Sequence, residues 1–373
     1  MTTSLMRNLL PQRYFFSTSG TLTRKARRGK DDLADVRQDV RKNLPHAAGP
    51  AAPLAEIWRG PFLESVHMGH AVVCDASGDV VEAWGDPDAV ILPRSSAKMI
   101  QALPLIESGA ANAHGLQSTH LALACASHNA ARIHIDPVSD WLAAIDRTDD
   151  DFRCGPQMPR DKDVHDALIR DGGTVCRIHN NCSGKHTGLL TLAKHLDAGP
   201  DYVDPDHPVQ RACREAFERM TDETSPGFGI DGCSAPNFAS TLHGMARAMA
   251  RFASAGEGSA ASNLARAMAT HPELVAGEGR ACTRLMRAMN HKVAIKTGAE
   301  GFFVAILPEQ RLGIALKVAD GATRAAECAI AQLLIRHGAL DRFHPEAIAY
   351  TSGPIRNWDG KVTGHMRAAP GLL

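Results

Sequence analysis

Three short motifs in this 373-residue chain carry the residue types needed for acid–base chemistry on a hydroxyl. Ser95-Ser-Ala-Lys98 sets a serine and a lysine at i and i+3, on one face of a helix and within reach of each other. A serine hydroxyl is a weak nucleophile until a base takes its proton, and a neutral lysine amine can be that base. Ser127-His-Asn129 follows the apolar stretch 121–126, and Lys296-Thr-Gly298 closes a run of strand character. Taken singly, each has an ordinary reading, such as an exposed helix start or a strand-ending lysine. A free lysine titrates at about 10.4 and is no base at neutral pH. A second ammonium close by, together with burial, disfavours the charged form and lowers that value. If Lys98 and Lys296 face one cleft, at least one can be neutral. Ser95–Lys98 and Ser127–Lys296 would then be two pairs that pass protons from nucleophile to leaving group.

Two glycine-rich loops hold cysteines in suggestive company: Asn180-Asn-Cys182-Ser-Gly-Lys185-His186 and Gly229-Ile-Asp231-Gly-Cys233-Ser-Ala-Pro236. Buried thiols, a disulfide, a cysteine nucleophile and metal ligands all remain open. Two cysteines without an evident third ligand make a poor zinc site, and a lysine must shed its proton to ligate. Spacing alone therefore favours buried thiols. None of the nine cysteines forms Cys-x-x-Cys, which excludes a zinc-ribbon or thioredoxin reading. Most are expected to be small buried hydrophobes.

The elements that must position these groups fall into three blocks. Residues 62–85 read as a β-hairpin turning at Asp75-Ala-Ser-Gly78. Residues 95–290 read mostly as helices, with apolar residues at helical spacing (Val164, Leu168 and Ile169; Val209, Ala212, Ala216 and Met220) and Pro208 in a first turn. The methionines along 245–249 and 285–289 read as core filling. Over 292–318 the period returns to two, giving three strands, with Leu312, Ile314, Leu316 and Val318 alternating as one buried face requires. Thr323 is expected to cap a final helix that stops at Gly338. This order predicts an α+β fold: an antiparallel sheet built from N- and C-terminal strands, with flanking helices and a helical insert at 95–290.

Charge and composition restrict the function classes. With 44% hydrophobic and 22% charged residues the chain reads as globular, and no apolar run reaches the roughly 18 residues of a membrane span. The 41 basic and 41 acidic residues balance, but unevenly along the chain. Residues 1–30 hold seven basic groups and no acid, leaving 34 basic against 41 acidic in the remainder. An acidic body argues against a nucleic-acid partner. The Ser-, Thr- and Arg-rich leader over 1–50 reads as a disordered extension or an unused upstream start, or as an organelle-targeting segment; 51–373 is expected to be one folded unit. The chain is expected to work in the cytoplasm, or in an organelle if the leader directs it there.

In order, Ser-x-x-Lys, Ser-x-Asn and Lys-Thr-Gly form the set found in penicillin-recognising serine enzymes. The longer segments Arg94-Ser-Ser-Ala-Lys98, Cys182-Ser-Gly-Lys-His186, Asp231-Gly-Cys233 and Lys296-Thr-Gly-Ala-Glu-Gly301 resemble the rhizobial-type (class 3) L-asparaginases, over roughly residues 54–340. That family hydrolyses L-asparagine to L-aspartate and ammonia in a fold similar to serine β-lactamases and glutaminases. The resemblance implies that Ser95, Lys98, Ser127 and Lys296 are the catalytic pairs. It also implies one zinc ion on Cys182, Lys185 and Cys233 with water as fourth ligand, Asp231 beside it, and a homodimer. The zinc set displaces the buried-thiol reading. Arg94 is a candidate for the substrate carboxylate, its ordinary reading being a solvated helix-start cation; Asp231 joins it as a substrate-binding candidate. Rival readings are a glutaminase or β-lactam-recognising hydrolase of the same fold, and a non-catalytic zinc or thiol binding protein. No Glu-x-x-x-Asn is present to place the deacylating water of a β-lactam hydrolase.

Overall fold

A computed structural model describes residues 49–373; the expected basic leader lies outside them except for Gly49 and Pro50. The main sheet has eight strands: β1 (Ala52–Arg59), β2 (Phe62–Cys74), β3 (Val80–Trp84), β4 (Ala294–Thr297), β5 (Phe302–Leu307), β6 (Leu312–Val318), β7 (Pro354–Arg356) and β8 (Val362–Ala368). Its order is β7-β8-β1-β2-β6-β5-β4, with β3 also pairing β2, and every pairing is antiparallel. The N- and C-terminal strands thus share one sheet, as the block order predicts. The long strand β2 is the joint. Its first half pairs β1 and its second half pairs β3 and β6.

The hairpin turn forms where Asp75 can hold it. The Asp75 carboxylate accepts from the Ser77 and Asp79 backbone N–H groups, and Gly78 takes the left-handed conformation. Three strands, β1, β7 and β8, lie outside the expected ones. β1 begins at Ala52, directly after the expected leader, and Pro53 is accommodated beside a bulge at Pro53/Ala55. β7 and β8 form one outer edge of the sheet. Arg367 of β8 donates to Glu56 at 2.7 Å and lies over the Trp58 ring.

Both faces of the sheet centre are covered, so the one-face reading of β6 is corrected. All six residues of β5 are buried, and β6 buries Gly313 and Ala315 as well as Ile314, Leu316 and Val318. The main helices are α1 (Ser118–Ala124), α2 (Lys162–Arg170), α3 (Ser183–His195), α4 (Pro208–Thr221), α5 (Leu242–Ala253) and α6 (Thr323–Arg336). Helices α5 and α6 both lie on the sheet. Helix α5 fills its share of the core with Met245, Ala246 and Met249, and Met286 and Met289 are likewise buried. Helix α6 stops at Gly338 in the left-handed conformation as expected, but its N-cap is Ala322, with Thr323 the first helical residue. The 95–290 insert is not wholly helical. Val90–Ile91 pairs Ser240–Thr241, and Phe228–Ile230 pairs Pro236–Phe238. No helix of the described residues is long and apolar enough to cross a membrane.

The contact between α5 and β6 sets the depth at which the insert meets the sheet. A Cβ on Gly313 would lie 2.0 Å from the Ala250 backbone nitrogen, so only glycine admits the helix. Gly313→Ala is expected to lower unfolding stability by about 1–3 kcal/mol, since neither backbone can yield easily. Urea denaturation monitored by far-UV circular dichroism checks this; an unchanged midpoint would contradict the close approach.

Candidate active site

The site forms where the start of the insert meets the end of β4. Residues 94–97 make a single 3-10 turn that runs on into a short helix carrying Lys98. Two contacts tie this turn to β4: Ser96 Oγ donates to the Lys296 carbonyl at 2.9 Å, and a Cβ on Gly298 would fall 2.6 Å from the Pro93 carbonyl oxygen. Glycine at the third position of Lys296-Thr-Gly298 therefore serves close packing. The third motif arrives at the end of α1. There the Ser127 N–H donates to the Val275 carbonyl (2.9 Å) and the His128 N–H to the Asn181 carbonyl (3.1 Å), so two different segments pin the loop.

These supports bring Lys98, Ser127 and Lys296 together in the interior. Both lysines are about 1% exposed and Ser127 is 6% exposed. Lys98 Nζ and Lys296 Nζ each lie 2.9 Å from Ser127 Oγ. Lys98 also donates to the Ala126 carbonyl and, at 3.1 Å, to Cys182 Sγ; Lys296 donates to the Thr297 carbonyl at 2.8 Å. Ser127 thus takes both lysines, where sequence spacing pairs one lysine with each serine. Ser95 sits half-buried on the turn, and its hydroxyl has no hydrogen bond among the described residues. That hydroxyl is the one left unconstrained for a substrate.

Two buried amines sharing one hydroxyl cannot both be charged at low cost. Burial first, and Lys98 second, push Lys296 down from the ordinary lysine value to about 7. The hydrogen-bond inventory agrees. Lys98 has three acceptors for three N–H groups, whereas Lys296 has two partners, as a neutral amine with two N–H groups and a lone pair requires. Ser127 can then accept from Lys98 and donate its own proton to the Lys296 lone pair.

The cysteine loops lie directly beside this group. Cys182 is the N-cap of α3, held by its N–H to the Asn180 side chain at 2.9 Å, and Lys185 follows on the first turn. Cys233 is at the tip of the small ribbon formed by 228–230 and 236–238, where Ser234 takes the left-handed conformation. All three side chains are buried, and Lys185 Nζ lies 3.0 Å from Cys233 Sγ. Cys233 is held well below the usual thiol range by the adjoining Cys182 and by Lys185; Cys182, whose Sγ donates to Asn181 Oδ1 at 3.0 Å, is pushed well above that range by Cys233 and by burial. Burial works to lower Lys185, but the Cys233 thiolate outweighs it and raises the lysine above its ordinary value. The other seven cysteines are free thiols and mostly buried, as expected.

Arg94 and Asp231 join the two halves. Arg94 Nε and Nη2 both reach Asp231 Oδ1 at 2.7 Å, with side chains 28% and 13% exposed, so Arg94 is not a solvated cation. Arg94 adopts a positive φ of 52°, uncommon for a residue with a side chain, and its N–H donates to Asn237 Oδ1 at 3.1 Å. Sequence spacing does not single out Ser96, Asn237 or Tyr202, because their roles arise from contacts between segments distant along the chain. His186 sits inside a motif already noted, at i+4 from Cys182, which is the only advance signal of its place.

The sequence profile of the L-asparaginase II family matches residues 55–368. No curated protein sequence matches the chain. Among solved structures, Mglu in its native form is 14% identical over 82% of this chain and 71% of its own, with a TM-score of 0.41. A β-lactamase from Mycobacterium bovis is 13% identical over 80% of this chain and 98% of its own, with a TM-score of 0.33.

Protonation of Lys296 governs the expected pH behaviour. Activity should fall as pH drops through about 7, where Lys296 gains its proton. Stability should rise with pH between about 7 and 10.5, because there the unfolded chain binds a proton that the folded one lacks. Lys296→Met should cost about 10²–10⁴-fold in kcat and stabilise the fold at pH 6 by removing a buried charge. Steady-state rates and urea midpoints from pH 6 to 9 check all three; a variant less stable than wild type at pH 6 would contradict the buried-charge account.

Proposed function

The chain belongs to the L-asparaginase II family, and from that membership we propose that this amidohydrolase acts on L-asparagine through a serine–lysine acyl-enzyme. The observation that carries the mechanism is Ser127 Oγ bridging Lys98 and Lys296 at 2.9 Å on each side. A proton passed from Lys98 through Ser127 to Lys296 leaves Lys98 neutral. Lys98 then takes the proton of Ser95, three residues earlier on the same turn. Ser95 Oγ attacks the side-chain amide carbon and forms a tetrahedral oxyanion. Backbone N–H groups at the 94–97 turn and beyond Gly298 stabilise that charge. The C–N bond breaks as the leaving nitrogen collects a proton returned along the same chain, so ammonia departs and a Ser95 ester remains. Water, deprotonated by the regenerated base, then releases aspartate.

Arg94 and Asp231 suit the other end of the substrate. An amino acid is a zwitterion, and a guanidinium beside a carboxylate presents its complement: Arg94 for the α-carboxylate, Asp231 for the α-ammonium. Binding exchanges the internal ion pair for two intermolecular ones. Asp231→Asn should therefore raise KM for L-asparagine by about tenfold or more, with a smaller change in kcat; a kcat loss at constant KM would contradict this role.

We further propose one zinc ion on Cys182, Lys185 and Cys233. Among the described residues no three His, Cys, Asp or Glu side chains form a metal-holding group, so lysine has to complete the set. The donors fit: two sulfurs and an amine share one buried spot, and the Cys233 thiol is already held toward thiolate. Bound zinc would supply Lewis acidity and orientation beside the substrate. Lys185 and Cys182 must each lose a proton on binding, so zinc affinity should fall as pH falls. The reading also includes a cytoplasmic homodimer, checked by light scattering of the purified chain.

Ammonia release from L-asparagine, compared with L-glutamine and with β-lactam opening, tests the substrate. L-asparagine is expected to be preferred; turnover of L-glutamine alone would overturn the assignment. Trapping of the covalent adduct tests the nucleophile. Ser127→Ala should still form an adduct, slowly, and Ser95→Ala should form none. An adduct that persists without Ser95 makes Ser127 the attacking residue.

A further inference from the structure

A cavity of about 680 Å³ lies between the end of α6, the short helix Pro345–Thr351, the end of β8 and the final residues of the chain. Its size is that of a small-molecule site, and none of the catalytic residues, the cysteines or the Arg94–Asp231 pair lines it. Gln332 and Ala368 are its most buried lining residues, and Arg342, Ile348 and Ser352 stand exposed around it. Gln332 gives the first signal. Only 8% of it is exposed, and its side-chain amide makes no hydrogen bond among the described residues. A buried amide with donor and acceptor both unmet is unfavourable unless something in the cavity meets them. Charge gives the second. Three arginines and no Asp or Glu side chain line the cavity, among the described residues. Arg367 and Arg336 are each held through Nε by a carboxylate outside the lining, Glu56 and Glu82, at 2.7 Å. Arg336 Nη1 also takes the carboxyl end of Leu373, the last residue. Arg336 Nη2 and both Nη groups of Arg367 have no hydrogen-bond partner among the described residues. Arg342 has no carboxylate partner there and lies only over the neighbouring Phe343 ring.

We propose that this cavity is a second binding site, for a small organic carboxylate with an apolar body and a hydrogen-bonding far end. The carboxylate pairs with Arg342, the arginine whose guanidinium is uncommitted, in a charge-assisted and potentially bidentate contact. The body packs along Ile335 and Ile348, and a hydroxyl or amide at the far end meets Gln332. Arg336 and Arg367 are already fixed by their carboxylates, so their unspent N–H groups are presented without further ordering. Gln332 makes the site selective: a ligand apolar throughout would leave the amide buried and unmet. The site also differs in kind from the Arg94–Asp231 pair. That pair offers both charges to a zwitterion, whereas here no lining Asp or Glu is present to take an ammonium group. A simple carboxylate is therefore favoured over an amino acid.

Saturation-transfer NMR and calorimetry on the full-length chain test this with para-hydroxyphenylacetate, its neutral amide para-hydroxyphenylacetamide, and phenylacetate. The hydroxylated acid should bind. Replacing it by the neutral amide, or Arg342 by alanine, should each weaken binding by about tenfold or more, the loss of one charge-assisted contact. Gln332→Leu should abolish the preference for the hydroxylated acid over phenylacetate. Arg94→Ala should bind that acid as wild type does, which separates the cavity from the proposed substrate site. Arg342 is exposed, so Arg342→Ala should keep the wild-type thermal midpoint and isolate the lost contact. Absence of binding at millimolar concentration, equal binding of acid and amide, or a preference that survives Gln332→Leu would each overturn the proposal. So would binding that is lost in Arg94→Ala and kept in Arg342→Ala. Binding is read directly, so the result stands whichever amide the active site hydrolyses.

Discussion

Placing two lysine amines on one buried hydroxyl forces a missing proton into the site. Water is the usual means of holding two such charges close, and here it is excluded: Lys98, Lys296 and Ser127 are nearly inaccessible. The inexpensive arrangement is one ammonium and one amine bridged by Ser127. Geometry does not bind the vacancy to one residue, since Ser127 offers a two-way path between the nitrogens. A base strong enough to deprotonate a serine can thus exist near neutral pH without a histidine.

Much of the surrounding structure serves to keep that triad in register. Lys296 ends a strand whose backbone is fixed by β5. Lys98 comes from a turn that Ser96 and the absence of a side chain at Gly298 bring against that strand. Ser127 comes from a loop whose N–H groups are spent on two other segments. The cysteine cluster is continuous with the triad through the Lys98–Cys182 contact, and the Arg94–Asp231 pair closes the other side. A change in one support is therefore expected to be felt by both the acid–base group and the metal-ligand candidates. Burying three lysines costs stability, which is the common expense of a preorganised site.

The sequence is most legible where one residue's environment depends on its near neighbours. The turn at Asp75–Gly78, Pro208 at the first turn of α4 and the stop at Gly338 are local, and the structure has each of them; β6 is a strand as its alternation predicts, but the burial of its second face against α5 is not a local property. The three motifs could be picked out as one set only because their order resembles a known family. What stays illegible is long-range. β8 alternates, but glycine and alanine hold two of its four non-polar positions, so the pattern is faint; what fixes the strand is its pairing with β1 and the partners that Glu56 and Trp58 offer Arg367. Likewise, i,i+3 spacing puts Ser95 within reach of Lys98 but cannot reveal that Ala126, Ser127 and Cys182 occupy the lysine's three N–H groups. Pairing within motifs is a local inference; the observed pairing is across them.

The shared vacancy can be measured directly by titrating the Lys296 amine with ¹³Cε- and ¹⁵Nζ-lysine NMR, in wild type and in Lys98→Met. Wild-type Lys296 should titrate near pH 7, and its midpoint should move upward in the variant because the neighbouring Lys98 charge is gone. A Lys296 that titrates at the ordinary lysine value, or one whose midpoint ignores the loss of Lys98, would contradict the account.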